Sequence, residues 1–453
     1  MFLEFCKIET LTSQFIVRFF LKKRLDAPAT YVANPTCIYV KDLKVFIEMK
    51  CGREKEGKLM LSVIVVLAIV LGTAFLFNES FKKIGLPPVV GQIIGGLVLG
   101  VPIIKTLIFE DPKTVEIVDL LAVLGIIFLL LLVGLEIDIE KILESSKEAV
   151  MISFGAAIVP LILGFLFLKM LGYSFIASLI FGGALSVTAE GTTVKVLIDA
   201  NALNTKLGAI IVSAGAIDDV FEVLFLSLVT IVGFGGSLSQ LAFLPLEFLI
   251  FIIIAFVFFK VVSRMLGVIK GSVDKVELFS LVIIFALIIA ALSETFELGY
   301  LIGALVAGFL MQISLRRLRE KDETEIVFAT RLITLAFAVP FFFVNVGLNF
   351  NYDYLLSNVF LLLFTIAIAF AGKILGTLMV KPFSKLNAKQ LYLIGWGMNS
   401  RGAVELVIAL LALRHGLIVQ EVFSALVSMA IVTTLVFPFV LQHEIKVNPE
   451  VMG

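Results

Sequence analysis

The chain has 453 residues, of which 60% are hydrophobic and only 16% charged, with Lys plus Arg equal to Asp plus Glu. Soluble domains run nearer 45–50% apolar with about 25% charged residues. The composition, with a mean hydropathy of +1.11, therefore excludes an ordinary soluble enzyme or nucleic-acid-binding module and marks an all-α polytopic membrane protein.

Residues 1–59 stand apart from the rest of the chain. They carry Lys22, Lys23, Arg24, Lys50, Arg53, Lys55 and Lys58, and they hold Cys6, Cys37 and Cys51. The odd, irregularly spaced cysteines form no metal or disulfide signature. Their apolar patches are short and poorly periodic. The expectation is that the functional protein starts at Met60 and that 1–59 is a non-native or disordered extension. The other reading is a cytoplasmic or peripheral N-terminal arm.

From Met60 onward, about thirteen segments have the apolar length a bilayer requires of a helix. Their approximate cores are Met60–Phe77, Pro88–Ile104, Ile117–Leu135, Ala149–Leu171, Phe175–Leu197, Leu207–Val232 and Leu241–Val261. Val276–Ala291, Leu298–Ile313, Ile333–Val346, Val359–Val380, Leu391–Leu413 and Val422–Leu441 complete the series, and residues 443–453 form a short tail. These runs recur to the end of the chain, so they are spans and not targeting signals.

The fifth segment is interrupted by Thr188-Ala-Glu190-Gly191-Thr192-Thr193, and the twelfth by Gly397-Met-Asn399-Ser400-Arg401-Gly402-Ala-Val-Glu405. Unwound backbone inside a membrane is tolerated only where it lines a cavity or packs in protein, and paired interrupted helices point to a transporter's site. Gly191 and Gly402 lie about 210 residues apart, and the same offset carries the fourth and sixth helices onto the eleventh and thirteenth, as an internal repeat requires. Ordinary polar helices packed through small residues are the plainer alternative.

The sixth segment holds Asp218 and Asp219 in a run otherwise apolar enough to span the membrane. A carboxylate at membrane depth is costly and marks a functional site by default. Two adjacent ones resist simultaneous ionisation, which suits a site that trades protons for cations. Glu222 comes one helical turn later on the same broad face. Lys373, inside the eleventh segment, and Arg401, in the broken twelfth, would be costly unpaired, so each calls for a carboxylate partner. Adjacent residues on a helix point about 100° apart, so one aspartate can face Lys373 while the other faces a water-filled cavity. Snorkelling toward the membrane surface is the alternative for Lys373. For Glu222 the favoured role is a fixed partner to a nearby base such as Arg401. The alternatives are an extra proton carrier or a cation ligand.

Lys and Arg gather in alternate loops: Lys82 and Lys83; Lys260, Arg264, Lys270 and Lys275; Arg316, Arg317, Arg319 and Lys321; Lys381, Lys385 and Lys389. The intervening loops are nearly empty of them. The positive-inside rule then puts the N-terminus of the bundle outside the cell membrane and the C-terminus in the cytoplasm.

These residues carry a resemblance over Met60 to about Gln442. Leu86-Pro-Pro-Val-Val-Gly91, Phe128 through Gly134-Leu-Glu136-Ile-Asp138, Ala184-Leu-Ser-Val-Thr188-Ala, and Ala216-Ile-Asp218-Asp219-Val come first. Pro340-Phe-Phe-Phe-Val-Asn-Val-Gly347, Gly372-Lys373-Ile-Leu-Gly376 and Gly397-Met-Asn-Ser-Arg401-Gly402 complete the order. In this order they resemble the membrane domain of the monovalent cation:proton antiporter-2 family, which includes sodium/proton antiporters and Kef-type potassium transporters.

The resemblance implies an antiporter fold with inverted repeats and two crossed discontinuous helices. A core would lie within 149–232 and 359–441, a scaffold within 60–135 and 276–346, and the protein would be a homodimer in lipid. It implies that Asp219 binds a monovalent cation or protons and that Asp218 pairs with Lys373. Thr188, Glu190, Ser400 and Arg401 would compensate the broken helices, with Glu222 and Glu405 as further acidic groups. The implied activity is alternating-access exchange of sodium, or potassium or lithium, for protons, electrogenic in the paired-aspartate form, with no cofactor. Glu190-Gly191 and Glu222 depart from the family pattern. Because the chain ends at Gly453, a Kef-like transporter would lack its nucleotide-binding domain. A different class, a membrane prenyltransferase using Asp218, Asp219 and Glu222 on magnesium, would need a second acidic cluster that the sequence does not offer. An open channel suits broken helices with a buried Asp–Lys system less well than alternating access does.

Overall fold

The computed structural model describes residues 62–136, 146–203, 205–233, 244–268, 275–296, 298–315 and 320–448. The extension expected over 1–59, with its three cysteines, lies outside the described residues, as do Asp138, Lys270, Arg316, Arg317, Arg319 and the end of the tail. Every described element is helical.

Helices α1 (Val63–Lys83), α2 (Pro88–Gly100), α3 (Pro102–Ile108) and α4 (Pro112–Glu136) open the bundle. Then come α5 (Lys147–Met170), α6 (Phe175–Ser186), α7 (Glu190–Asp199) and α8 (Lys206–Gly233). The middle of the chain forms α9 (Leu244–Val268), α10 (Lys275–Thr295), α11 (Tyr300–Leu315), α12 (Glu320–Ile333) and α13 (Val339–Leu348). The last part forms α14 (Tyr352–Ser357), α15 (Val359–Leu378), α16 (Ala388–Gly397), α17 (Ala403–Arg414) and α18 (Gln420–Val447).

Six of the described helices are long and apolar enough to cross a membrane singly, and the bent α2–α3 pair makes a seventh. Shorter apolar helices, Phe175–Ser186, Phe279–Thr295 and Tyr300–Leu315, lie among the other expected segments. The second expected span, Pro88–Ile104, bends by 83° between α2 and α3. Pro102 forces its predecessor out of the helical region, and Val101 is extended at φ −56°, ψ 129°. The tenth expected span begins far earlier, in α12. It passes through a π-helical turn over Thr334–Ala338, where the Val339 N–H reaches back to the Thr334 carbonyl. The widened turn sits just before Pro340, which has no N–H to continue an α ladder.

Two packing groups emerge. Helices α1, α2, α4, α10, α11 and α13 pack on one another, with α9 against α10 and α11. Helices α5, α6, α7, α8, α15, α16, α17 and α18 form the second group. The groups meet where α8 touches α11 and where α18 touches α2. Large apolar side chains such as Phe75, Ile103, Met170, Ile253 and Phe439 are exposed on the outside. In a bundle of this hydropathy such a surface faces lipid.

The second group is built twice. Helices α5 and α15 each start on a side-chain cap, Ser146 accepting from the Ala149 N–H at 3.1 Å and Asn358 from the Leu361 N–H at 3.2 Å. Each is followed by an interrupted pair, α6–α7 and α16–α17, and each repeat closes on a 28-residue helix, α8 or α18. Helices α5 and α15 cross at bare backbone: a Cβ on Gly376 would lie 2.2 Å from the Gly155 carbonyl oxygen, and one on Gly372 would lie 2.7 Å from Pro160 Cβ. This approach is what drives Lys373 into the interior. Gly376→Leu is expected to separate the two helices and to cost about 3 kcal/mol or more, beyond ordinary overpacking because the clash is with backbone. A thermal-unfolding midpoint of the purified variant equal to wild type would contradict that reading of the crossing.

Candidate functional site

Between α6 and α7 the chain is unwound over 187–189, and between α16 and α17 it is non-helical over 398–402. The second break arises from Gly397, Asn399, Ser400 and Gly402, which favour turns and side-chain-to-backbone bonds over helix interior. The two unwound strands touch. The Ala189 N–H donates to the Ser400 carbonyl at 3.0 Å, and Ser400 Oγ donates to the Ala189 carbonyl at 2.8 Å. A Cβ on Gly402 would meet Ala189 Cβ at 2.6 Å, so only glycine lets the strands come this close.

Breaking two helices in an apolar interior leaves carbonyls and N–H groups that must be satisfied internally. Hydroxyls take up part of the load. Thr193 Oγ1 donates to the Gly397 carbonyl at 2.8 Å and lies 2.6 Å from Ser400 Oγ, while Thr188 Oγ1 lies 3.3 Å from the Met398 carbonyl. Thr434 Oγ1 donates to the Arg401 carbonyl at 3.2 Å.

Charges take up the rest. Lys373 Nζ donates to the Ser186 carbonyl, to Thr188 Oγ1 and, at 3.2 Å, to Asp218 Oδ2. Both partners of this ion pair are buried, at 0% and 1% side-chain exposure. Arg401 Nη1 donates to the Val187 carbonyl and Nη2 to the Ala369 carbonyl at 3.4 Å. Two cations thus face the carbonyl end of α6, the negative pole of that half-helix. On the other side, Glu222 Oε1 accepts the Thr188 N–H at 2.8 Å, and buried Glu405 occupies the first turn of α17. Carboxylates there complement the positive poles of α7 and α17.

The aspartates differ. Asp218 is buried against Lys373, with its Oδ1 lacking a hydrogen-bond partner. Asp219 is half-buried. Beside the crossing, a narrow crevice is lined by Thr188, Thr193, Ile211, Gly215, Gly397 and Met398.

The structure thus brings together Asp218, Lys373, Thr188, Glu222, Ser400 and Arg401 around one crossing, with Asp219 adjacent in sequence. Two expectations need correcting. Arg401 donates its hydrogen bonds to backbone carbonyls and not to a carboxylate, because the end of a broken helix already offers concentrated negative partial charge. Glu222 does not pair with Arg401; among the described ion pairs none joins them, and its carboxylate goes to the nearer unwound N–H of Thr188. The Glu190 side chain lies outside the described residues. Thr193 stands in the interrupting run but was given no role of its own, and Thr434 escaped the sequence reading. The hydroxyl pair Thr192-Thr193 directly after Gly191 was the available signal for the first, and nothing near Thr434 distinguished it from other hydroxyls of an apolar helix.

Comparison with known proteins came to the same region. The profile described as "Sodium/hydrogen exchanger, transmembrane" matches residues 63–445. A Na(+)/H(+) antiporter of Enterococcus hirae is 27% identical over 387 residues, covering 84% of this chain and 97% of that protein. The Na(+)/H(+)-K(+) antiporter GerN of Bacillus cereus is 26% identical, covering 85% of this chain and 97% of its own. The solved structure of the sodium proton antiporter MjNhaP1 from Methanocaldococcus jannaschii superposes with a TM-score of 0.66 at 18% identity, covering 86% of this chain and 99% of that one.

Proposed function

Since the chain belongs to the transmembrane sodium/hydrogen exchanger family, we propose that it exchanges sodium for protons by alternating access, with Asp219 as the shared site. Cation/proton antiport in a multi-pass membrane setting, rather than enzymatic catalysis, comes with family membership. The choice of sodium, the electrogenic stoichiometry and the residue roles are the proposal.

One observation carries it: a buried Lys373–Asp218 pair at a helix crossing, next to a half-buried Asp219. Asp218 is engaged, so its charge is already balanced. Asp219, less deeply buried, takes either a proton or a cation, and the two exclude each other by charge. When Asp219 exchanges its occupant, the field at Asp218 changes and the pair with Lys373 loosens, which supports more than one proton per cation. Helices α5–α8 and α15–α18 form the moving core, and α1, α2, α4, α10, α11 and α13 the scaffold of a dimer. The N-terminus of the bundle lies outside and the C-terminus in the cytoplasm. The similarity to GerN, a Na(+)/H(+)-K(+) antiporter, supports potassium as the second candidate cation. A pH gradient imposed on proteoliposomes tests the reading: sodium should dissipate it and lithium or potassium should act with lower potency. No dissipation by any of the three would overturn it.

Glu222 has a narrower role here, holding the unwound strand through the Thr188 N–H. Glutamine can accept the same bond with its side-chain carbonyl. Glu222→Gln is therefore expected to slow transport modestly and to leave the proton number unchanged, whereas Glu222→Leu leaves a buried N–H unmet at about 1–3 kcal/mol and loses most activity. Reversal potentials of reconstituted protein check this. A changed stoichiometry in Glu222→Gln would make Glu222 a carrier of transported protons.

A further inference from the structure

The crossing is not the only charged cluster. Arg414, at the end of α17, donates through Nη2 to Asp119 Oδ1 on α4 at 2.8 Å and to Asn345 Oδ1 on α13 at 3.0 Å. Asn345 in turn donates through Nδ2 to Asp119 Oδ1 at 2.6 Å, and Asn349 Nδ2 donates to Asn345 Oδ1 at 3.0 Å. Three side chains from three helices thus close one ring of hydrogen bonds. Two of these helices, α4 and α13, belong to the first packing group, and α17 belongs to the second.

The position of this ring matters. Asp219 is about midway along α8, and Arg414 sits at the far end of the half-helix that leaves the crossing. The crevice by Thr188, Ile211 and Gly397 lies between α7, the first half of α8 and the end of α16. The ring ties the boundary between the two groups at the end toward which α17 runs from the crossing. The ion pair is also of a different kind from Lys373–Asp218. Arg414 and Asp119 keep 29% and 42% side-chain exposure, so water can replace either partner, and such a pair is weak by nature. Asn345 is buried and fixes the geometry of both. A contact that must break and re-form in every cycle needs this combination of low strength and defined register.

We propose that Arg414, Asp119 and Asn345 are positioning residues of the transport cycle. They form a latch that holds the core against the scaffold on the side toward which α17 runs from the crossing, and it opens when the site turns to that side. The proposal rests on the alternating-access reading above.

Two measurements test it, both in proteoliposomes alongside wild type. Wild type without exchange would defeat the function reading itself and not the latch specifically. First, Arg414→Gln and Asp119→Asn should each favour the conformation open on the latch side, because a state loses population when its own contact is removed. The half-saturating cation concentration should fall on that side and rise on the other, and Asp119→Arg combined with Arg414→Asp should restore the wild-type ratio. Equal changes on both sides, or no recovery in the exchanged pair, would overturn the latch. Second, Asp119→Cys with Arg414→Cys, in a background with Cys6, Cys37 and Cys51 replaced by serine, can be bridged by a short bis-methanethiosulfonate. Bridging should reduce exchange to the leak level, and reductant should restore the rate of the unbridged variant. Full exchange by the bridged protein, its bridge verified by mass, would show that α17 does not move against α4.

Discussion

Asp219→Asn is expected to abolish cation-dependent proton flux while leaving a folded protein with a near-normal unfolding midpoint. Asparagine keeps the shape and the acceptor oxygen but removes the charge and the titratable proton. A unit pair about 4 Å apart at an effective dielectric near 20 is worth about 4 kcal/mol, or nearly a thousandfold in affinity. Asp219 is only half-buried, and the buried pair with Lys373 is made by Asp218. The substitution should therefore leave stability nearly unchanged, or raise it slightly, because it also relieves repulsion with Asp218 and Glu222. Flux assays and thermal unfolding on the same preparation check both halves. Retained sodium-driven proton movement in Asp219→Asn would remove Asp219 from the centre of the mechanism.

Removal of Lys373 is expected to have the largest effect on stability. Breaking a buried pair by deleting one partner typically costs about 3–5 kcal/mol, because the other charge is left uncompensated. Lys373 also serves the Ser186 carbonyl and Thr188 Oγ1, so Lys373→Ala should cost more than Asp218→Ala. The double variant should recover part of the loss, since neither charge remains. Unfolding midpoints of the single and double variants measure the coupling. Strictly additive losses would mean that the two residues do not depend on each other.

The broken helices were legible in the sequence because they depart from the apolar pattern around them. Gly, hydroxyl and charged residues inside long apolar runs have no place in an ordinary span, and Thr188, Ser400 and Arg401 do come together at the crossing. The partner of Lys373 was legible for a similar reason, since a lysine between glycines in an apolar helix demands an anion. What Arg401 and Glu222 touch was not legible. Sequence reasoning pairs side-chain charges with side-chain charges, whereas an unwound helix end supplies carbonyls and N–H groups that no residue type announces. Arg414, Asp119 and Asn345 were hidden differently: each lies near the end of an apolar run, where a polar residue is unremarked, and only tertiary packing joins them. The bend at Val101 was present in the Gly100-Val-Pro102 sequence but was masked by hydropathy, which is blind to backbone geometry.

The most direct measurement is the dependence of sodium half-saturation on pH in reconstituted wild-type protein. If a proton and a cation compete for the one carboxylate of Asp219, mass action requires the half-saturating sodium concentration to rise about tenfold for each unit of acidification once the proton form predominates. Maximal rates at saturating sodium should stay comparable over the same range. A half-saturation constant that does not change with pH, with only the maximal rate falling in acid, would place proton and cation at separate sites and contradict the shared role of Asp219.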